Sequence, residues 1–341
     1  MSQRYSRQIL FKPIGEDGQQ RLMESSVLIV GAGALGTSTA EMLVRAGVGH
    51  ITIVDRDYVE WSNLQRQQLY TERDAAQGTP KATAALKALS CINSEVKLKS
   101  HVGDFVDFIS HQSIENYNLM IDATDNFETR FILNDLSHRY NIPWIYGGAV
   151  GSTGTTYTVI PGETPCLSCL VKSIPVMNQT CDTVGVIPPT IQWVTSNQVT
   201  EALKWLTGHR QKMRTSLLYA DLWDCQFTSI NVNKAKKTNC PTCGDNPTFP
   251  YLEKSSYSHI HILCGRDTVQ IRPKEGQTFN KDEVLKRLLE VSNKVKSNDL
   301  LIHAHLDENR RIVVFEDGRV LLHGMSTIAE AQATYDRYVR C

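Results

Sequence analysis

The chain has 341 residues, of which 41% are hydrophobic and 21% are charged, so the composition predicts a folded protein with one large and one smaller domain. Lysine plus arginine and aspartate plus glutamate both total 36, and this balance excludes a global field that would draw the protein to nucleic acid or an anionic membrane. Any anion must therefore be bound by a local cluster of residues.

The first half of the chain alternates between β-branched runs and amphipathic segments, a pattern typical of βα units. Predicted strands lie at 27–30, 51–55, 95–102, 118–124, 142–150 and 155–160. Predicted helices lie at 35–46, 80–89 and 128–140, the first of them stopped by Gly47. This alternation favours the α/β class, with a doubly wound and mostly parallel sheet that the last strand extends in antiparallel fashion.

The second half is predicted to contain a long helix and a separate small domain. Residues 162–190, rich in proline, glycine, cysteine and threonine, favour a loop, whereas 190–208 favour a helix. The polar stretch 233–250 marks a domain margin, which gives a large domain over 1–250 and a small α+β domain over 258–341. The predicted strands of the small domain are 259–263, 267–273, 300–306, 311–317 and 319–324, and its predicted helices are 282–295 and 327–339.

The segment VLIVGAGALG predicts a phosphate-binding loop. Gly31, Gly33 and Gly36 have the spacing G-x-G-x-x-G between a strand and a helix, whose N-terminal N–H groups point at an anion. Asp55 closes the next strand, at the distance that ribose recognition requires. The pattern therefore indicates a nucleotide site, and a glycine-rich core turn is the alternative.

Residues that follow the glycine loop favour ATP over a redox dinucleotide. Asn63 and Arg66 come shortly after Asp55, and Lys81 opens a helix, where a cation invites an anionic partner. Asp125 falls just past a predicted strand, where a carboxylate beside phosphates suits magnesium. A triphosphate normally recruits such cations and a metal ion. A solvated surface lysine and a helix N-cap are the alternatives for Lys81 and Asp125.

Two C-x-x-C pairs predict a closed zinc site. Cys166 and Cys169 form the first pair, and Cys240 and Cys243 form the second. Four thiolates leave no open coordination position, so the predicted zinc is structural. The alternative is a thioredoxin-like redox pair, which does not explain why there are two pairs.

Cys181 stands apart, in a loop between the two pairs. No basic residue lies near it in the sequence, so nothing local predicts a lowered thiol pKa, and both catalysis and an incidental thiol stay open. The chain holds nine cysteines, an odd number, and no signal-peptide-like or membrane-spanning apolar run. We therefore expect a cytoplasmic protein with metal-bound or reactive thiols rather than disulfides, and no membrane or nucleic-acid partner.

The order of these motifs over residues 1–250 resembles the MoeB/ThiF adenylyltransferase family. The matching segments are RYSRQI, GAGALG, VDRDYVEWSNLQRQ, PK, DATDN, C-x-x-C, TCDTVG and C-x-x-C. The resemblance implies a homodimer that uses magnesium-ATP to adenylylate the C-terminal Gly-Gly carboxylate of a small β-grasp sulfur-carrier protein. The resemblance also implies a sulfur donor, such as a cysteine desulfurase, that acts after adenylylation in molybdenum cofactor or thiamin biosynthesis. Within the family, we expect the chain to be most similar to the MoeB branch.

The resemblance also implies a role for each matched residue. It assigns the ribose and phosphates of ATP to Asp55, Asn63, Arg66 and Lys81. It assigns a phosphate contact from the partner subunit to Arg7, magnesium to Asp125, and zinc to Cys166, Cys169, Cys240 and Cys243. Cys181 matches the loop cysteine of the family, whose catalytic importance differs among members.

The C-terminal segment departs from the family pattern. Some members end in a rhodanese domain with a persulfide-forming cysteine, and residues 258–341 do not match it, so no sulfurtransferase activity is assigned. Two other functions stay open: an NAD-dependent dehydrogenase, supported by the glycine loop alone, and a non-catalytic scaffold that binds nucleotide.

Overall fold

The structure is a computed structural model, and it describes residues 3–170, 184–253, 260–263, 268–272, 279–325 and 327–340. The chain divides into two compact units, Met1–Lys254 and Ser255–Cys341. The predicted domain limits, 1–250 and 258–341, stay predictions, because this division into units does not test whether each part folds independently. Among the described residues, no helix is long and apolar enough to cross a membrane.

The first unit combines one large sheet with helices. Its strands are β1 (Ser26–Val30), β2 (His50–Asp55), β3 (Lys97–Val102), β4 (Leu119–Asp122), β5 (Trp144–Val150), β6 (Thr153–Val159), β7 (Ser216–Asp221) and β8 (Gln226–Asn231). Its α-helices are α1 (Ser6–Ile9), α2 (Gly15–Glu24), α3 (Ala34–Ala46), α4 (Glu72–Gln77), α5 (Lys81–Ile92), α6 (Phe105–His111), α7 (Phe127–Tyr140), α8 (Leu167–Leu170), α9 (Pro188–Leu206) and α10 (Pro250–Glu253). Short 3-10 turns lie at Gln3–Tyr5, Trp61–Asn63, Ile114–Asn116, Arg210–Lys212 and Asn233–Ala235.

The sheet has the strand order β3-β2-β1-β4-β5-β6-β7-β8. Its first five strands are parallel, and the last three are antiparallel. The inner residues of β1 and β2 are buried throughout, as strands that helices cover on both faces require. The predicted α/β class, with a parallel sheet and an antiparallel extension, is confirmed.

The register brings together the carboxyl ends of three strands. Val30, the last residue of β1, lies beside Val54 on β2 and Asp122 on β4. α3 begins at Ala34, just after β1, and α7 begins at Phe127, just after β4. Because β2 and β4 lie on opposite sides of β1, the connections diverge here and leave a crevice. Open α/β sheets bind their ligands at such a switch point.

The sequence patterns do not predict α2, β7 or β8. All six residues of β8 are exposed, so this strand lacks the apolar alternation from which strands are predicted. The predicted loop at 162–190 is interrupted by α8, and its residues 171–183 lie outside the described part of the chain. The predicted helix at 190–208 begins at Pro188, because proline suits the first turn of a helix, and it ends at Leu206.

The second unit is built on an antiparallel sheet of order β11-β12-β13-β14-β10-β9. Its strands are β9 (Ile260–Leu263), β10 (Thr268–Ile271), β11 (Val295–Ser297), β12 (Leu301–His305), β13 (Arg311–Phe315) and β14 (Val320–His323). Its helices are α11 (Lys281–Val291) and α12 (Ile328–Tyr338), which share an apolar cluster with the sheet. The predicted α+β fold is confirmed.

The predicted helix over 282–295 is wrong at its C-terminal end. α11 ends at Val291, and Val295–Ser297 form β11. Ser292 takes an extended backbone conformation at the C-cap, and Asn293 follows it. Both residue types favour helix ends over helix interiors, because their side chains compete for backbone hydrogen bonds.

Candidate functional site

The glycine loop joins β1 to α3. Gly31 has a φ of 100°, and a Cβ there would overlap the carbonyl group of Ala123. A Cβ at Gly36 would overlap the carbonyl oxygen of Gly31, so α3 can begin this close to the loop only with glycine. Gly33 is the N-cap of α3, and the space beside it is open as far as the Gln67 amide, 3.9 Å from an ideal Cβ. The free N–H groups of the first helical turn therefore border a space that an anion can enter.

Asp55, the predicted ribose ligand, closes β2 directly beside this loop. Its Oδ2 accepts a hydrogen bond from the Ala32 N–H at 2.6 Å, and its Oδ1 accepts one from the Asp57 N–H at 2.7 Å. Burial raises the pKa of Asp55 above its ordinary value, and the charge of Lys81 opposes that rise. Each carboxylate oxygen keeps a further lone pair, so Asp55 can hold the loop and still accept a ribose hydroxyl.

Lys81 is a buried lysine that lies against the same loop. Its side chain is 4% exposed, and its Nζ lies 3.1 Å from Asp57 Oδ2. The Tyr70 hydroxyl donates to the Ala32 carbonyl at 2.6 Å and lies 3.2 Å from the Lys81 carbonyl, which links the glycine loop to the start of α5. Because this side chain is buried and paired with a carboxylate, the alternative of a solvated surface lysine is wrong. A buried ammonium needs a nearby anion, which Asp57 supplies here.

Asn63 and Arg66 follow in the turn after β2. Asn63 is buried, and its Oδ1 accepts a hydrogen bond from the Glu60 N–H at 2.9 Å. The amide oxygen of Asn63 therefore stabilises this turn. The Arg66 guanidinium is half-buried, and its Nη1 donates to the Ser62 carbonyl at 2.8 Å. Within the described ranges Arg66 has no ion pair with a carboxylate, so its charge is available to a phosphate.

Asp125 is exposed at the carboxyl end of β4. The N-cap of α7 is its neighbour Asn126, whose Oδ1 accepts a hydrogen bond from the Thr129 N–H at 2.9 Å. The N-cap alternative for Asp125 is therefore wrong. Burial works against the charge of Arg56, but its ion pair with Asp104 at 3.0 Å, and then the charges of Asp57 and Asp125, raise its pKa above the ordinary value.

Arg130, which the motif search misses, fixes the loop that carries Asp125. Its Nε lies 2.8 Å from Asp122 Oδ2, in a pair whose side chains are 8% and 0% exposed. Its Nη2 donates to the carbonyls of Thr124 and Gly147 at 2.7 and 3.0 Å. Burial works against the Arg130 charge, but Asp122 and other anions raise its pKa above the ordinary value. One guanidinium thus joins the carboxyl end of β4 and the loop after it to the middle of β5.

Arg7 lies in α1, and its side chain is exposed. Among the residues that the structure covers, no hydrogen bond or ion pair holds the Arg7 guanidinium. Cys181, by contrast, falls within residues 171–183, outside the described part of the chain. The structure therefore gives Arg7 an exposed position and gives no position to Cys181.

The two C-x-x-C pairs meet in one cluster. The sulfur atoms of Cys166, Cys169, Cys240 and Cys243 all lie within 4.8 Å of one another. Sγ of Cys166 and Cys240 are 3.5 Å apart, as are those of Cys169 and Cys243. A tetrahedral zinc with Zn–S bonds of about 2.3 Å places its sulfurs about 3.8 Å apart, so the four thiols fit zinc. The hydrogen bond from Cys166 is the main cause that lowers the pKa of Cys243, to about 4.

Helix α7 holds both halves of the cysteine cluster. Asn134 Oδ1 accepts a hydrogen bond from the Leu167 N–H at 2.8 Å, between the first two cysteines. Asp135 Oδ1 accepts one from the Thr242 hydroxyl at 2.6 Å, between the second two. The Ser168 hydroxyl lies 3.2 Å from that of Thr242 and connects the two loops. Neutral and charged groups that orient the ligand loops in this way are typical of metal sites.

Comparison with known proteins places these features in a family. The ThiF family matches residues 5–242. The chain is 45% identical to the "Sulfur carrier protein ThiS adenylyltransferase" of Bacillus subtilis (strain 168), over 99% of this chain and 100% of that protein. It is 35% identical to the "Molybdopterin-synthase adenylyltransferase" of Escherichia coli (strain K12), over 71% of this chain and 96% of that protein.

A solved structure shares the fold. The crystal structure of E. coli MccB with ATP is 22% identical and covers 72% of this chain, 75% of its own chain, with a TM-score of 0.60. This likeness supports the fold alone, whereas the family match spans well over half of the chain. The chain therefore belongs to the ThiF family.

Proposed function

We propose that this chain transfers AMP from ATP to the C-terminal carboxylate of a sulfur-carrier protein that ends in Gly-Gly, with release of pyrophosphate. The observation that carries the proposal is the 45% identity to a ThiS adenylyltransferase over 99% of the chain. The site supports it, because the glycine loop, Asp55 and the buried Lys81 lie together at the switch point of the sheet.

The chemistry needs charge neutralisation more than proton transfer. The attacking carboxylate is already ionised at neutral pH, so no general base is required. The barrier lies in bringing that anion to the α-phosphate and in placing charge on the leaving pyrophosphate. Arg66 and Lys81 supply positive charge from this chain, and the open N-terminus of α3 supplies aligned N–H groups.

Lys81 exchanges partners when ATP binds. In the structure its ammonium is paired with Asp57 at 3.1 Å. Before ATP binds, the Asp57 carboxylate stabilises the buried Lys81 ammonium. A phosphate that enters beside the glycine loop then competes with Asp57 for this ammonium. Asp55 holds the ribose on the same side, since its two oxygens face the loop and the following turn.

Magnesium fits the carboxylate at Asp125. Mg²⁺ typically takes one or two carboxylates together with substrate phosphates, and Asp125 is an exposed carboxylate at the edge where the phosphates would lie. When bound, the ion neutralises phosphate charge and orients the leaving group. Arg130 keeps the Asp125 loop in place through its bond to the Thr124 carbonyl.

The carrier and the assembly follow from the same comparison. Full-length similarity to a ThiS adenylyltransferase favours a ThiS-like carrier over a MoaD-like one, and hence thiamin over molybdenum cofactor biosynthesis. We infer a cytoplasmic homodimer in which the exposed Arg7 reaches a phosphate bound by the partner subunit. Zinc held by the four cysteines fixes two loops that are distant in the sequence. Cys181 acts in the later step, in which sulfur from a donor such as a cysteine desulfurase replaces AMP on the carrier's terminal carboxylate.

The test is ATP–pyrophosphate exchange with magnesium and a purified ThiS carrier. We expect exchange that depends on the carrier's terminal Gly-Gly. Binding of ATP with no exchange, for ThiS and MoaD carriers alike, would leave only the scaffold, and an NADH-linked absorbance change with a small substrate would support the dehydrogenase. The glycine loop and Asp55 are common to all three functions, whereas the identity to a ThiS adenylyltransferase favours adenylylation.

A further inference from the structure

Arg56 is an arginine that the sequence motifs do not assign, although it directly follows Asp55, the proposed ribose ligand. Asp55 is the last residue of β2 and pairs with Val102, the last residue of β3. The N–H of Gly103, the next residue, donates to the Asp55 carbonyl at 3.0 Å. Arg56 therefore leaves the sheet at the carboxyl end of β2, directly beside the end of β3.

An ion pair holds the Arg56 side chain on the β3 side of Asp55. Its Nη1 donates to Asp104 Oδ1 at 3.0 Å, and Asp104 is the N-cap residue of α6. The Asp104 side chain makes no capping hydrogen bond to α6, so its carboxylate binds the guanidinium rather than the helix. The Asp104 side chain is 8% exposed, whereas the Arg56 side chain is 27% exposed. A buried carboxylate therefore fixes a guanidinium that still presents part of its surface to solvent.

The place of the base follows from the linear order of phosphates, ribose and base in a nucleotide. The phosphates are proposed to lie between the N-terminus of α3 and the Asp125 loop, and Asp55 is proposed to hold the ribose. β4, which leads to the Asp125 loop, lies on one side of β1, whereas β2 and β3 lie on the other side. The base, at the opposite end of the nucleotide from the phosphates, therefore extends across the ends of β2 and β3, where Arg56 and Asp104 lie.

We propose that the Arg56 guanidinium stacks on the adenine of ATP and that Asp104 holds the guanidinium in the orientation this contact needs. The inference rests on the proposed function, which makes ATP the nucleotide. A guanidinium is planar and weakly hydrated, so it can stack on an aromatic face while the N–H groups at its edge stay bound to a carboxylate. Arg56 thus contacts the substrate, and Asp104 is a positioning residue that acts through Arg56.

A phosphate contact is the alternative for Arg56. It fits the geometry less well, because the ion pair holds Arg56 beside the end of β3, whereas the N-terminus of α3 follows β1 on the other side of β2. The two contacts also differ in what they select. A stacked arginine raises the affinity only for ligands that carry a base, whereas a phosphate ligand raises the affinity for any triphosphate.

The experiment is calorimetric titration of the full-length protein with magnesium-ATP and with magnesium tripolyphosphate, which has no ribose and no base. Arg56→Gln keeps a hydrogen-bond donor for Asp104 and removes the charge. It should weaken ATP binding by about fivefold or more, the size of a cation–π contact, and leave tripolyphosphate binding within about twofold. Asp104→Asn should weaken ATP binding in the same selective way, because it releases the guanidinium. Arg45→Gln, which removes an arginine from its ion pair with Glu41, is the matched control and should change neither affinity.

An equal loss of affinity for ATP and tripolyphosphate in Arg56→Gln would make Arg56 a phosphate ligand and overturn the stacking contact, as would an unchanged affinity for ATP. In pyrophosphate exchange with a ThiS carrier, a base contact made equally in the ground and transition states should raise the KM for ATP and leave kcat unchanged. The titration needs no carrier. Absence of exchange in the unmodified protein would therefore refute the proposed function, while a selective loss of ATP affinity in Arg56→Gln would still support the base contact.

Discussion

Replacing Arg130 with methionine tests whether its buried guanidinium stabilises the carboxyl end of β4 and the Asp125 loop that follows it. The substitution keeps the length of the side chain and much of its apolar contact, and removes the charge and every hydrogen bond. Arg130 pairs with Asp122 at 2.8 Å and donates to the carbonyls of Thr124 and Gly147. Arg130→Met therefore leaves the Asp122 carboxylate buried without its counter-ion.

The magnitude follows from burial. The Asp122 side chain is fully buried and the Arg130 side chain is 8% exposed, so water cannot replace the lost partner. Removing one member of a buried ion pair typically costs about 3–5 kcal/mol. We expect a loss of about this size in the free energy of unfolding, together with weaker binding of magnesium-ATP, because the Asp125 loop loses its anchor at Thr124.

The assay is urea unfolding followed by tryptophan fluorescence, with ATP titration calorimetry on each variant. Arg139→Met, on the exposed face of the same helix, is the matched control, and a change within about 0.5 kcal/mol is expected there. The double variant Asp122→Asn/Arg130→Met should recover part of the loss, because it removes the uncompensated charge. A loss in Arg130→Met no larger than that in Arg139→Met would refute the reasoning.

Three further predictions concern magnesium, zinc and pH. Asp125→Asn should abolish magnesium-dependent exchange while ATP binding without magnesium is retained; a normal magnesium titration in this variant would contradict the assignment. The purified protein should hold one zinc per chain by metal analysis, and Cys240→Ser should lower both the zinc content and the melting temperature; equal zinc in the variant would show that the cluster is not the site. Burial, with the nearby charges of His305 and Arg311, lowers the pKa of His303 from 6.5 to about 4. The unfolded chain therefore binds more protons between these values, so the stability of the second unit should be complete above pH 6.5 and fall towards pH 4. His303→Gln should flatten this dependence in urea unfolding at pH 7 and pH 5, and an unchanged slope would count against it.

Local sequence rules predicted the parts of the site that depend on backbone geometry. Gly31 is required by its positive φ and Gly36 by its close approach to the Gly31 carbonyl, and the G-x-G-x-x-G spacing encodes both constraints. The strands that bury both faces, such as β1 and β2, also follow from their continuous apolar runs. These features are local, so a short window of sequence contains them.

The residues that sequence reasoning missed act across long separations. Arg130 contacts Gly147, seventeen positions away, and a helical arginine gives no signal that its partners are loop carbonyls. The sequence motifs do not identify Asp57, because nothing in the sequence shows that Lys81 is buried against it. β8 escaped prediction because it is exposed on both faces, and apolar periodicity reports burial rather than strand formation.

The most direct measurement of the central claim is the intact mass of the carrier after reaction. A ThiS carrier incubated with the protein, ATP and magnesium, in the absence of a sulfur donor, should gain the mass of one AMP group. A carrier that lacks its terminal Gly-Gly should gain nothing, because the attacking carboxylate is then out of reach of the α-phosphate. An AMP adduct on the truncated carrier, or none on the intact carrier while ATP is bound, would contradict the account.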